Sequence, residues 1–258
     1  MSRAFVVVLA GILGLLFGSF GTVVAWRVPR KESIVSPGSH CPACNAPIRA
    51  YDNIPVVSWL WLRGRCRSCR ERVSIRYPLV ELGVGLLFAA SAWRASSGWL
   101  IPAYCAAALA LVILTEVDLE LRRLPTAIVY TAVVGCGGLL ALAAGELGDW
   151  HALLTAGISG VALTGVFWVI HFVAPKGMGR GDVRMAGLCG MLLGFLGWRV
   201  VLVGFMACVI SAGLVGVALI ATGRANAKTQ VPFGPYLALG TMVGLLFGGA
   251  LVRVWLGA

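Results

Sequence analysis

Two kinds of residue in this chain have types and spacing suited to chemistry. The first are aspartates. Asp182 follows Gly177-Met178-Gly179-Arg180-Gly181 and stands where an apolar segment begins. Alternate glycines give a backbone that can adopt positive φ and lie close to another chain. A carboxylate at the mouth of a hydrophobic helix is costly to place and marks a site. Asp118 closes a different apolar segment. Two carboxylates within reach of one water share a proton, so one acts as base and the other as acid. That pair can drive attack of water on a peptide carbonyl. Taken alone, Asp118 also suits a helix-end cap or a partner for Arg122 or Arg123. The second kind are cysteines. Cys41-Pro-Ala-Cys44 and Cys66-Arg-Ser-Cys69 form two C-x-x-C pairs with residues 45–65 between them. Two such knuckles complete a tetrahedral four-sulfur site for zinc. The alternative is redox chemistry or disulfides.

Composition says where these residues must sit. The 258 residues are 59% hydrophobic and 12% charged, with a mean hydropathy of +0.91. Soluble domains are nearer half apolar and a quarter charged. Apolar runs of about 20 residues predict an all-α polytopic membrane protein. About eight transmembrane helices are expected, at residues 4–26, 77–93, 99–117, 125–147, 151–174, 183–198, 200–222 and 233–256, with a tight turn at Arg199 joining the sixth and seventh. The domain reading is a first span over 1–26, a small zinc-binding loop over 27–76 and a transmembrane core over 77–258. The first span is too long for the core of a secretory signal and reads as retained.

Charge orients the spans. If the cysteine loop is cytosolic, 17 of the 21 Lys and Arg fall in cytosolic loops and only Arg3, Arg94, Arg199 and Arg253 on the other side. That positive-inside bias places the N-terminus outside. It also puts Asp118 and Asp182 at the same depth, which a dyad requires. The formal charge of +11 then reflects topology and anionic headgroups rather than nucleic acid. A cytosolic loop disfavours stable disulfides, and a loop with little core gains stability from a metal.

The remaining candidates are weaker. Glu116 and Glu120 flank Asp118 at i±2, so on a helix they face away from it. Glu81 opens the second span and can pair with a loop arginine or line a polar site. Trp59 and Trp61 suit a small local core or a surface on headgroups. His40 abuts Cys41 but reads as a bystander to a site that four thiolates already fill. His151 and His171 read as structural, and Cys105, Cys136, Cys189 and Cys208 as buried small hydrophobes.

Together these motifs resemble the type IV prepilin peptidases, membrane aspartic proteases of the G-x-G-D type. The resemblance covers nearly the whole chain. Gly18-Ser-Phe20 with Trp26-Arg-Val-Pro29 is similar to the family's first-span ending. The two cysteine pairs around Tyr51-Asp-Asn-Ile-Pro-Val-Val-Ser-Trp-Leu60 resemble its zinc loop, and Arg76-Tyr-Pro-Leu-Val-Glu81 follows as it does there. Asp118-Leu-Glu with Leu124-Pro125 resembles the first aspartate motif, and Gly177 to Asp182 the second. Pro232-Phe-Gly-Pro235 matches the entry to the last span. Thr22, Thr126 and Arg184 depart from the residues usual at their positions. The resemblance implies cleavage of the basic leader of type IV prepilins or pseudopilins at the cytosolic face of the inner membrane. Asp118 and Asp182 are then catalytic, and Cys41, Cys44, Cys66 and Cys69 hold structural zinc. It also implies methylation of the new N-terminus from S-adenosylmethionine, for which no residue is assigned. Gly179 and Gly181 are expected to let the scissile segment lie close, and Glu81, Glu116 and Glu120 to meet the basic leader. Two rivals stand beside this reading. One is a transporter using the aspartates as proton or cation sites. The other is a zinc-loop assembly factor without catalysis.

Overall fold

A chain with apolar runs of this length must satisfy its backbone within each run, and the result is helical. The computed structural model describes residues 2–173, 175, 178–224 and 232–256. Gly177, Lys176 and Lys228 lie outside the described residues. The chain divides into two compact units, Met1–Ala95 and Ser96–Ala258.

The first unit holds α1 (Arg3–Arg27), the cysteine loop with the short α2 (Val57–Trp61), and α3 (Arg76–Arg94). Helices α1 and α3 are antiparallel. Arg3 donates to the Trp93 carbonyl at one end of the pair, and Gly18 faces Glu81 toward the other. Gly14 makes the approach possible, because a Cβ there would stand 2.8 Å from both Gly85 Cα and Val84 O. Small residues at such a seam are how spans gain contact where lipid offers no hydrophobic drive to associate.

The second unit holds α4 (Ile101–Leu121), α5 (Thr126–Leu147), α6 (Trp150–Val173), α7 (Arg180–Gly194), α8 (Trp198–Ala221) and α9 (Gly234–Leu256). Helix α7 packs against α5, α6, α8 and α9, and α4 packs against α5 and α9. Its residues Met185, Ala186, Leu188, Cys189, Leu192 and Leu193 are all buried, so α7 is the core of this unit. Cys105, Cys136, Cys189 and Cys208 are buried and unbridged, as expected of small hydrophobes.

Each of the eight expected apolar segments forms a helix. Six are long and apolar enough to cross a membrane. The other two are α3 and α7. Helix α3 carries Arg76, Glu81 and Arg94 within 19 residues. Helix α7 has 15 residues, or about 22 Å of rise against a hydrocarbon core of about 30 Å. Charged Arg180, Asp182 and Arg184 occupy its first turns. The tight turn expected at Arg199 is corrected: α8 already begins at Trp198, and the chain turns at Phe195–Gly197, where Gly197 takes φ +111°. That conformation suits glycine and no other residue there.

Candidate active site and metal centre

Helix α4 runs past the expected span end to Leu121, which puts Asp118 one turn inside it and leaves the residue 4% exposed. Arg122 then takes a left-handed conformation (φ 50°), and its N–H closes on the Asp118 carbonyl at 2.9 Å. The chain turns through Leu124-Pro125 into α5. Asp182 lies in the first turn of α7 and is half-buried. The two elements meet at this turn. A Cβ on Gly181 would stand 2.8 Å from Leu124 Cβ, so only glycine lets α7 start against the chain leaving α4. Arg184 Nη1 donates to Thr126 Oγ1 at 2.6 Å, which ties α7 to the start of α5. These are two of the positions where the sequence departs from the family pattern, and they bond to each other.

The carboxylates of Asp118 and Asp182 interact electrostatically. Each accepts one backbone N–H. Gly234, at the start of α9, donates to Asp118 Oδ2 at 2.9 Å. Gly179 donates to Asp182 Oδ2 at 3.0 Å. The first N–H groups of a helix lack partners within it, and a carboxylate there also meets the favourable end of the helix dipole. No arginine pairs with either aspartate among the described residues, so pairing with Arg122 or Arg123 does not account for Asp118, whereas its bond to the Gly234 N–H is a cap on the first turn of α9. The second oxygen of each carboxylate has no protein partner among the described residues, leaving one acceptor on each acid for water or substrate. His171 braces the turn before Asp182, its Nδ1 lying 2.7 Å from the Met178 carbonyl.

Gly234 is the residue that sequence reasoning missed. A Cβ there would stand 2.6 Å from Asp118 Oδ2, so this position must be glycine for its N–H to reach the acid. Its one signal in the sequence was a glycine between Pro232 and Pro235 at a helix entry.

The three glutamates are placed differently. Glu116 is half-buried and Glu120 exposed on α4. Glu81 is 9% exposed, and its Oε2 accepts the Val56 N–H at 2.7 Å, so its partner is a backbone donor and not a loop arginine. Val56 takes φ 62°, which is strained for a β-branched residue. Glu81 thus holds a strained turn of the cysteine loop. Within the chain itself, a Cβ on Gly179 would face Asp182 Oδ2 and one on Gly181 would face Leu124.

The four loop cysteines converge. Their sulfurs all lie within 4.8 Å of one another, and Cys41 Sγ is 3.8 Å from Cys69 Sγ. The edge of a tetrahedral site with metal–sulfur bonds of about 2.3 Å is about 3.8 Å. The knuckles are built alike. Cys41 N–H bonds Ala46 O and Asn45 N–H bonds Cys41 O; Cys66 N–H bonds Glu71 O and Arg70 N–H bonds Cys66 O. Asn45 and Arg70, at the same offset, both take positive φ. Backbone N–H groups of Cys69 and Ser68 bring the Cys66 thiol down to about 7. Cys69 also receives the Glu71 N–H, yet desolvation and the neighbouring thiols push it up to about 12. Four thiols this close resist a second thiolate, a cost that a bound divalent cation removes. The donor set fits one metal ion.

Family models match both parts of the chain. Residues 12–95 match the Bacterial Peptidase A24 N-terminal domain, and residues 105–221 the Type IV leader peptidase family. A protein of Aeromonas hydrophila is 36% identical, with 95% of this chain and 92% of the relative covered. One of Pseudomonas putida is 34% identical over 96% and 93%, and one of Bacillus subtilis 30% over 95% and 96%. Each is named a prepilin leader peptidase/N-methyltransferase. This chain belongs to the type IV leader peptidase family. The first of the two matched ranges spans the cysteine loop, and the second spans both Asp118 and Asp182. No solved structure matches it.

Proposed function

We propose that the protein is a membrane aspartic endopeptidase that removes the basic leader from type IV prepilins or pseudopilins, and that it methylates the new N-terminus. What supports the peptidase reading is that Asp118, in the last turn of α4, and Asp182, in the first turn of α7, lie near enough to interact electrostatically. In the reaction one carboxylate takes a proton from water, which attacks the scissile carbonyl. The other, protonated, donates to the carbonyl oxygen as it becomes a hydroxyl. Collapse of the tetrahedral intermediate passes a proton to the leaving amine. The oxygens not bonded to Gly234 and Gly179 do this work, while those two N–H groups fix each acid's orientation. Glu116 and Glu120 meet the basic residues of the leader. The loop metal is zinc, held by Cys41, Cys44, Cys66 and Cys69, and its part is structural. The positive-inside bias puts loop and aspartates on the cytosolic face.

The methyl donor is S-adenosylmethionine. The described fold is all-helical and offers no strand–turn–helix cradle of the Rossmann kind, so no step is derived through it. Co-expression with a prepilin, followed by mass measurement of the pilin N-terminus, tests both activities. The wild type is expected to give a shortened, methylated pilin, and Asp118→Asn or Asp182→Asn the intact precursor. Processing by either variant would instead favour the transporter or assembly-factor reading.

A further inference from the structure

The second knuckle carries a charge cluster that neither metal binding nor peptide hydrolysis uses. In the first knuckle, His40 and Pro47 pair as an isolated antiparallel bridge. At the same offsets in the second, the pair is Arg65 and Arg72. Like charges directly opposite each other weaken such a pairing. Arg63 adds a third. A groove of about 560 Å³ is lined by these three arginines together with Trp59, Gly64 and Ile75, among others, and no acid lines it. None of the three guanidiniums has an ion pair or side-chain hydrogen bond among the described residues. Nearby Arg67, by contrast, holds Asp52 through two bonds of 2.8 and 2.6 Å. The floor of the groove is fixed. Gly64 takes φ +65°, a Cβ there would stand 2.7 Å from the Trp59 ring, and Trp59 Nε1 donates to Val73 O at 3.1 Å.

The position of the groove decides which anion it suits. Its wall at Val73–Ile75 runs straight into Arg76, the first residue of α3. Helix α3 is antiparallel to α1, so this end lies level with the C-terminal end of α1. There Arg30 stacks 3.5 Å over the half-exposed Trp26 ring. Trp and Arg at that level mark a membrane–water interface. Ile75, Leu60 and Trp61 are 59%, 62% and 80% exposed, giving the loop an apolar edge beside the arginines. The geometry points to this groove as a binding site for an anionic phospholipid of the adjoining leaflet, its phosphate among Arg63, Arg65 and Arg72. The inference does not rest on the peptidase reading. Each arginine near an anionic surface is worth roughly five-fold in binding.

The test uses the full chain in zwitterionic nanodiscs doped with a photoactivatable phosphatidylglycerol, with the label mapped by mass spectrometry. Label is expected on residues 57–75. Arg63→Gln/Arg65→Gln/Arg72→Gln is expected to raise the half-saturating mole fraction roughly hundred-fold. Arg65→Lys/Arg72→Lys, which keeps the charge, is expected to bind within a few-fold of wild type. Bound metal per chain reports that the loop stays folded; if the triple variant loses its metal, Arg72→Gln alone carries the test with a loss of roughly five-fold. Absence of label on 57–75 would overturn the proposal and leave an acidic protein segment as the occupant to seek. Equal labelling by a phosphatidylcholine probe, unchanged labelling of the glutamine variants, or displacement by excess inorganic phosphate would overturn it too.

Discussion

At the residue scale the site depends on what two backbone N–H groups do. A hydrogen bond to a charged group contributes about 1.5–3 kcal/mol, and Gly234 gives one to a buried carboxylate. Gly234→Ala places a methyl 2.6 Å from Asp118 Oδ2, so the acid must swing away. The expected outcome is a loss of cleavage of roughly ten- to hundred-fold with normal amounts of protein in the membrane, measured as prepilin turnover per enzyme. Glu81 invites a different prediction. Glu81→Ala leaves the Val56 N–H without its acceptor, at a cost of about 1–3 kcal/mol. Glu81→Gln keeps an acceptor oxygen. Limited proteolysis of the loop is expected to speed up for the alanine variant and little for the glutamine. If both variants are cut equally fast, Glu81 is not the clamp described. The two aspartates were legible because acids are so scarce in the apolar segments that each had to be explained. Gly234 was not, because its role depends on a residue 116 positions away, and a glycine at a helix entry already has a local reason to exist.

At the element scale, helix ends and helix seams set the geometry. The apolar runs placed all eight helices within a few residues. They misjudged α7, because hydropathy registers composition while the helix boundary follows hydrogen bonding. The charged Arg180-Gly181-Asp182 begins the helix instead of preceding it. The turn into α8 was read at the charged Arg199, although Gly197 was the residue able to take φ +111°. The tie between Arg184 and Thr126 was out of reach for a sequence reading, since nothing local joins α7 to α5. The α1–α3 seam gives a stability prediction. Gly14→Leu meets Gly85 and Val84 backbone atoms at 2.8 Å, and overpacking of this kind costs about 1–3 kcal/mol or more. A lower melting temperature in detergent is expected, and a melting temperature equal to wild type would contradict the seam.

At the scale of the whole molecule, the membrane sets orientation and the metal sets the loop. The loop's four sulfurs converge with little apolar core beneath them, so removing the ion is expected to unfold the loop while the spans persist. Chelation should release about one metal per chain and open residues 28–75 to protease with helical circular dichroism largely kept. A loop that stays protected without metal would contradict this. Sidedness follows from charge. A cysteine introduced at the exposed Gly148, between α5 and α6, should react with an impermeant thiol reagent added outside intact cells. One introduced at Ser33 should react only after lysis. The reverse pattern would invert the topology and place the aspartates on the outer face.

The central claim is that Asp118 and Asp182 work as one catalytic unit, and a double-mutant cycle measures that directly. Purified wild type, Asp118→Asn, Asp182→Asn and the double variant would be compared for single-turnover cleavage of a prepilin. Residues that act together are strongly non-additive. Each single substitution is therefore expected to lower the rate on the order of a thousand-fold or more, with the double variant no slower than either. A single variant retaining a tenth or more of the rate, or losses that multiply in the double variant, would contradict the account.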